Sequence, residues 1–232
     1  MEVELKMAFP DRASYETFIS DPWKELILPA EKTREIIMHS RYYDTQARDL
    51  DPMRATVRVR LENNKAVLTL KRGDQISCGI FRRQEWSVRI PSEQLSALQP
   101  MHRLDSQLIR DWFEREAWYS GDNEQQTDLL NELLDRMEGQ TLICTAEIRF
   151  TRLAALVEIN GSQLETALDQ GYYVAGQDKK AFTELEIECL AGDSSTLDYL
   201  RKRLADKFGL IMETESKLAR CLAFARSRGS GF

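Results

Sequence analysis

Charged and apolar side chains alternate from the start of the chain, Met1-Glu2-Val3-Glu4-Leu5-Lys6. A period of two is that of a strand with one face in a core. The same alternation returns in Arg58, Arg60 and Glu62, in Thr69 and Lys71, in Arg83, Glu85 and Ser87, and in Glu184, Glu186 and Glu188. The opposite faces are apolar, as in Val3, Leu5 and Met7 or Val57, Val59 and Leu61. Strands that are two-faced in this way point to antiparallel sheet, because parallel strands are apolar on both sides. The apolar faces need a covering layer, and the charged faces either meet water or meet one another.

Turn residues bound the extended segments, which are expected at 1–8, 35–44, 55–62, 65–72, 80–90, 145–159, 163–169 and 182–190. Asn63-Asn64 separates two of them, and Asn160-Gly161 is the strongest short hairpin signal in the chain. Helical patterns run from Asp11 to about Ser20 and over 92–98, 103–118, 124–138, 194–208 and 215–226. The helix at 194–208 is the best specified. Asp193 or Ser194 caps it, Leu197, Leu200, Leu204 and Phe208 share a face, and Gly209 ends it. The stretch 92–141 is a helical excursion between two sets of strands: a cap, a partner surface or an outer layer. No repeat or Pro-rich linker marks a second domain, so residues 1–226 are expected as one domain with a short flexible tail at 227–232.

Composition narrows the chemistry. The 232 residues are 42% hydrophobic and 30% charged with a formal net charge of -6, which is a globular composition without general attraction to nucleic acid or to an anionic membrane. Any anion it binds must be met by a local cluster of Lys and Arg. The chain has neither the basic start and apolar run of a signal peptide nor an apolar stretch of roughly 18 residues, so a cytoplasmic location is the expectation. Cys78, Cys144, Cys189 and Cys221 form no CxxC pair, and His39 and His102 are the only histidines. Zinc sites and Cys/His or Ser/His catalysis are therefore unsupported. The cysteines are expected as buried or half-buried free thiols, and the histidines as surface or turn residues.

For any single strand the plain reading of a charged face is a solvated one, but the set argues otherwise. Glu184, Glu186 and Glu188 follow one another at about 6.6 Å along one face. Neighbours at that spacing repel by about 2.4 kcal/mol at an effective dielectric of roughly 20. Hard divalent cations, which carboxylate oxygens bind, relieve such repulsion. Arg58, Arg60, Lys71 and Arg83 supply donors suited to phosphate oxygens. Carboxylates for metal beside cations for phosphate make a polyphosphate-handling constellation. If the sheet closes into a barrel of about eight strands, its interior holds one small ligand.

These residues resemble the CYTH domains, or triphosphate tunnel metalloenzymes. The resemblance rests on the E-x-E-x-K start at Glu2 to Lys6, Tyr42-Tyr43-Asp44-Thr45, Arg58-Val59-Arg60-Leu61, Leu68-Thr69-Leu70-Lys71, Arg83-Gln84-Glu85, Leu185-Glu186-Ile187-Glu188 and Ser216-Lys217, in the family's order. Within the family, the segment from Val157 to Gly171 is similar to the bacterial inorganic triphosphatases. Those proteins often carry an appended His-rich helical domain, and with two histidines in the chain no such domain is expected here. Ser87 stands where many relatives place a further carboxylate.

The resemblance implies an α+β fold: a closed eight-stranded antiparallel β tunnel with helices packed outside. Its acidic side would bind two Mg²⁺ or Mn²⁺ ions and its basic side a triphosphate. By matching position it implies Glu2, Glu4, Glu186 and Glu188 as metal ligands, with Glu85 and Asp169 beside them. Lys6, Arg58, Arg60, Lys71, Arg83 and Lys217 are implied as phosphate ligands, and Glu4, Lys6, Arg58 and Glu186 as the catalytic set. Arg149 or Arg152 supplies another phosphate contact, and the Arg149-Phe150-Thr151-Arg152 run leaves the register open. The implied reaction is metal-dependent hydrolysis of inorganic triphosphate to pyrophosphate and phosphate, with no Ser, Cys or His nucleophile. Relatives of this fold also hydrolyse thiamine triphosphate or cyclise ATP. A non-catalytic polyphosphate- or nucleotide-binding module is a further reading. Trp23, Trp86 and Trp118 are candidates for stacking on an organic ring at the tunnel mouth, and otherwise pack in the core. The expected partner is a small triphosphate; oligomeric state stays open.

Overall fold

The computed structural model describes residues 2–77, 80–95, 102–115 and 124–229. Its long strands are β1 (Glu2–Ala8), β2 (Arg34–Asp44), β3 (Ala55–Glu62), β4 (Lys65–Ser77) and β5 (Ile80–Ile90). After the short β6 (Arg103–Asp105) come β7 (Thr141–Ile159), β8 (Ser162–Ala175) and β9 (Asp178–Ala191). Eight of these pair side by side in the order β1-β5-β4-β3-β2-β7-β8-β9, and β9 returns to β1, closing an antiparallel barrel. Closure leaves no unpaired edge in the ring. The short β6 and β10 (Ile211–Met212) attach to β7 and β1.

The hairpins form where the turn chemistry put them. Asn160 and Gly161 adopt φ of 51° and 73°, the left-handed pair that a type I′ turn requires, and Ile159 faces Ser162 across it. Asn63 takes φ 53° in the turn between β3 and β4. The last hairpin differs from the sequence reading. There a strand is expected over 163–169, whereas β8 continues to Ala175 and the turn falls at Gly176, with φ 61°. Gly171 is needed for close approach: a Cβ there would sit 2.1 Å from the Arg149 carbonyl oxygen and 2.4 Å from Phe150 Cβ.

Helices cover the outside in two groups. On one side α3 (Ser106–Arg115) and α4 (Glu124–Met137) bury Ile109, Trp112, Phe113, Leu130, Leu133, Leu134 and Met137. Their partners are the outward residues Val57, Val59, Leu68, Leu70, Trp86 and Val88 of β3 to β5. The described helices of the 92–141 excursion thus form an outer layer sharing this core. On the other side α1 (Arg12–Ser20), the one-turn α2 (Lys24–Ile27) and α5 (Ser195–Phe208) pack Phe18, Ile27, Leu197, Leu200, Leu204 and Phe208 against Leu5, Met7, Leu168, Leu185 and Ile187. Full burial of each such side chain contributes about 1.5–3 kcal/mol.

Several local expectations are corrected here. Arg103–Asp105, read as the start of a helix, is β6, because Leu104 is buried opposite Leu142 in the sheet. Helix α3 begins only at Ser106, with Asp105 Oδ1 accepting from the Gln107 amide at 2.8 Å. Helix α2 is too short to show a period. Trp86 is buried in the outer core, and Trp23 packs on Phe208 with centroids 5.8 Å apart, so neither lies at a tunnel mouth. Trp118 and Cys78 lie outside the described residues, as do 230–232 of the expected tail. Cys144, Cys189 and Cys221 are free thiols, and Cys221 is fully buried. No helix among the described residues is long and apolar enough to cross a membrane.

Inside the barrel the wall is not uniform. Toward one end Met38, Ala146, Ile148, Phe150 and Tyr173 form an apolar lining, on which α6 (Lys217–Ser227) lays Cys221, Phe224 and Ala225. Ser216 caps this helix, its Oγ accepting from the Ala219 amide at 3.1 Å. The first turn of α6 therefore faces the rest of the interior.

Candidate active site

That remaining interior is a cavity of about 370 Å³. Seven cations, Lys6, Arg58, Arg60, Lys71, Arg83, Arg152 and Lys217, line it together with six carboxylates, Glu2, Glu4, Glu85, Glu165, Glu186 and Glu188. The period of two brings them there, since the inward positions of β1, β3, β4, β5 and β9 are largely charged, and β7 and β8 add Arg152 and Glu165. Cross-strand register then selects partners. Glu2 lies opposite Arg83, Lys71 opposite Glu85, Lys6 opposite Glu186 and Arg152 opposite Asp169.

Near the first turn of α6 the charges are closely matched. Arg152 forks onto Asp169 through two 2.7 Å hydrogen bonds and also donates to Glu186. The Lys217 ammonium lies 2.8 Å from Asp169 and 2.9 Å from Glu186, and it contacts Glu184 as well. Lys6 Nζ bridges Glu186 at 2.9 Å and Glu4 at 3.0 Å. Burial would raise the Glu186 pKa, yet Lys217, Lys6 and Arg152 hold it well below the carboxylate range. Arg220 closes the network by donating to Glu184. Asp169, Glu184 and Glu186 bring ligand oxygens within 4.8 Å of one another, the spacing of a metal site. An ammonium already sits among the three, so this cluster is neutralised from within the chain.

The rest of the ring is different. Lys71 pairs with Glu2 and Glu85, each at 2.7 Å, and Arg83 reaches Glu2 at 3.3 Å and also Glu4. Burial and the Glu4 and Glu85 charges still push the Glu2 pKa up, with Lys71 opposing. Glu188 faces Glu4 on one neighbouring strand and Glu165 on the other. Among the described residues neither Glu188 nor Glu165 has a hydrogen bond or ion pair. Burial first, then repulsion from Glu2, Glu4 and Glu85, pushes Glu188 up to about 7. Like charges directly opposite in a sheet destabilise it. A hard cation would remove that penalty, so the carboxylates of this side fit Mg²⁺ or Mn²⁺ by donor type, burial and unmet charge.

The counterpart is a crowd of guanidinium groups. Arg58 Nη2 donates to Thr69 Oγ1 at 3.2 Å, its Nε has no hydrogen-bond partner, and among the described residues it forms no ion pair with a carboxylate. Burial, then the charges of Arg58 and Arg152, lower the pKa of Arg60, whose Nε donates to Glu62 at 2.8 Å. Such a crowd favours an anion between its members.

Several sequence-derived assignments change. Arg149 lies on the outer wall, half exposed and bonded to Glu147, while Arg152 points inward. Two residues of the same strand three apart face opposite ways, so both could not line one cavity. Asp169 does not line the cavity; its oxygens are taken by Arg152 and Lys217. Glu184 and Glu186 need no metal to offset their repulsion, because cations from β1, β7 and α6 reach them. Ser87 Oγ donates to Glu85 Oε1 at 3.0 Å, a supporting role. His39 pairs with Glu147 at 3.1 Å, away from the cavity, and His102 is exposed.

The sequence reading missed Glu165, Tyr42 and Phe150 as lining residues, and Arg220 as the partner of Glu184. Glu165 shares the inward period of β8 with Asp169, and Arg220 follows Lys217 by one helical turn. Both signals were present in the spacing.

A closed barrel with a charged, ion-paired interior and helices outside defines the class of β tunnels. The chain belongs to the CYTH domain family, whose family model matches residues 1–222. It is 23% identical over 225 residues to the inorganic triphosphatase of Haemophilus influenzae, covering 94% of this chain and 53% of that relative. The chain thus spans about half the length of that curated relative. Among solved structures it is similar to a Hippeastrum protein described as an adenylyl cyclase with a dominant triphosphatase activity. That likeness has a TM-score of 0.65 at 21% identity, over 100% of this chain and 98% of the other. A Pyrococcus horikoshii OT3 protein is similar with a TM-score of 0.55 at 22% identity, over 97% and 99% of the two chains. At such identities the structural likenesses speak to the fold.

Proposed function

We propose that this protein hydrolyses inorganic triphosphate to pyrophosphate and phosphate, with Mg²⁺ or Mn²⁺ bound by Glu2, Glu4, Glu85 and Glu188, while Glu186 holds Lys6, Arg152 and Lys217 in place. One observation carries the reading: among the described residues, a single cavity holds carboxylates with no ion pair to a cation, Glu188 and Glu165, and a guanidinium with no ion pair to a carboxylate, Arg58. The ligand that satisfies both is positive on one side and negative on the other, as a metal-bound polyphosphate is. The triphosphatase relative and the family membership support the same substrate class.

A bound ion would supply charge neutralisation and an acidified water. The chain's own residues do the positioning. Arg58, Arg60 and Arg152 offer planar forks to phosphoryl oxygens, and Lys6, Lys71, Arg83 and Lys217 offer further donors. Glu4 and Glu186 hold Lys6 between them and so fix where its ammonium points. With a loose transition state, placement and charge supply most of the acceleration. Volume and lining support a compact substrate. The cavity, about 370 Å³, lies at the low end of ligand sites, and its aromatic members Tyr42 and Phe150 are only 6% and 7% exposed.

Phosphate release by purified protein with Mg²⁺ or Mn²⁺ tests the proposal across inorganic triphosphate, ATP, thiamine triphosphate and long-chain polyphosphate. Inorganic triphosphate should have the highest kcat/KM; dominant ATP cyclisation would overturn the reading. Glu4→Gln and Arg58→Ala should each lower kcat/KM by about a hundredfold or more. Wild-type turnover in both variants would remove these residues from the mechanism.

A further inference from the structure

We infer that Glu165, and not Asp169, is the β8 carboxylate that completes the acidic ligand set around the divalent cation; the inference rests on the metal-dependent reading above. The two residues share the inward face of β8, four positions apart, and the structure separates them by what surrounds each. Asp169 is fully buried, outside the cavity lining, and receives two hydrogen bonds from Arg152 and an ion pair from Lys217. A metal could reach it only by displacing two cations that are themselves buried.

Glu165 lines the cavity, and among the described residues it has no hydrogen bond or ion pair. Its register places it directly opposite Glu188, which is directly opposite Glu4. Three carboxylates therefore stand abreast on β1, β9 and β8, with opposing Cβ atoms about 5 Å apart. That separation lets oxygens of neighbouring side chains converge on one ion with ligand distances near 2.1 Å for Mg²⁺. Arg152, the nearest cation on β7, is engaged by Asp169 and Glu186. Glu4 retains Lys6 and Arg83, so the abreast set is not bare at that end. At its Glu165 end no described cation forms an ion pair, Arg152 being committed to Asp169 and Glu186, and there the unmet demand for a cation is greatest.

The test measures binding without turnover. The whole chain, free of triphosphate, is titrated with Mn²⁺ by electron paramagnetic resonance and with Mg²⁺ by calorimetry, for wild type, Glu165→Gln, Glu165→Asp and Asp169→Asn. Glu165→Gln should weaken Mn²⁺ binding about tenfold or more, and Glu165→Asp should recover part of it. Asp169→Asn, if folded by circular dichroism, should keep the wild-type affinity and melt at a lower temperature. Wild-type affinity and stoichiometry in Glu165→Gln would overturn the inference while leaving the metal-dependent reading intact. No Mn²⁺ binding by the wild type would overturn both. The Glu165→Gln arm decides the question even if Asp169→Asn does not fold.

Discussion

The two acidic sides of the barrel interior have the same residue type, the same strands and the same inward period, yet opposite electrostatic conditions. Asp169, Glu184 and Glu186 are closed around Lys217, with Arg152 and Arg220 behind them. Among the described residues, Glu188 and Glu165, on neighbouring strands, form no ion pair with a cation. Carboxylates that carry their counter-ion are part of the scaffold, and carboxylates that lack one define a place for something brought in. An acidic cluster on a sequence cannot be sorted into these two kinds until the cations that cross the barrel are known.

The largest test of this division is removal of Lys217. Lys217→Met leaves three buried carboxylates without their shared ammonium, which should cost about 3–5 kcal/mol of stability. Denaturant unfolding measures it, and a loss below about 1 kcal/mol would mean that the cluster is not held by this ion pair. Glu188→Gln, on the unmatched side, should leave the stability of the metal-free protein unchanged or slightly raised.

A smaller effect links metal and polyphosphate. Lys71 and Arg83 are held by Glu2, Glu4 and Glu85 when no ligand is present. An ion that takes those carboxylates frees the cations for phosphate oxygens. Pyrophosphate should therefore bind more tightly with Mg²⁺ present, by about 1–3 kcal/mol, and Mg²⁺ more tightly with pyrophosphate by the same amount. Calorimetric titrations in both orders measure it; independent binding would break the link.

The smallest effect lies on the outer wall. There the His39 imidazole, 3.1 Å away, with Arg149 assisting against burial, holds Glu147 down to about 2 from an ordinary 4.5. A depressed carboxylate contributes stability that is full above its unfolded pKa and lost as pH falls from about 4.5 toward 2. The contribution is at most about 1 kcal/mol for a pair this accessible. Thermal melts of wild type and Glu147→Gln should converge as pH falls through that window, and a constant gap would refute the shift.

Much of the fold was legible in the chain. Period-two charge located five of the ring strands and turn residues bounding extended stretches located the other three, Asn160-Gly161 located its hairpin, and the leucine face of α5 with Gly209 at its end located that helix. These signals are local, set by backbone sterics and by which face must leave water. The misses came from tertiary demands. The strand expected to stop at 169 runs on through Gly171, which meets the close approach of β7, and Arg103–Asp105 reads as helix but is drawn into the sheet by burial of Leu104. The Arg149 and Arg152 alternatives could not be separated without the position of the strand in the barrel.

By itself the sequence determined that the chain would form two-faced antiparallel strands and that acids and bases would share the inner face. It also offered no Cys, His or Ser constellation on which to build a nucleophile. Only the tertiary structure decided which acids are already neutralised. Counter-charges for Glu184 and Glu186 come from β1, β7 and α6, up to 180 residues away in the chain. Coulomb energy depends on distance through space and on burial, and neither exists until the barrel closes and α6 lies across its inner wall.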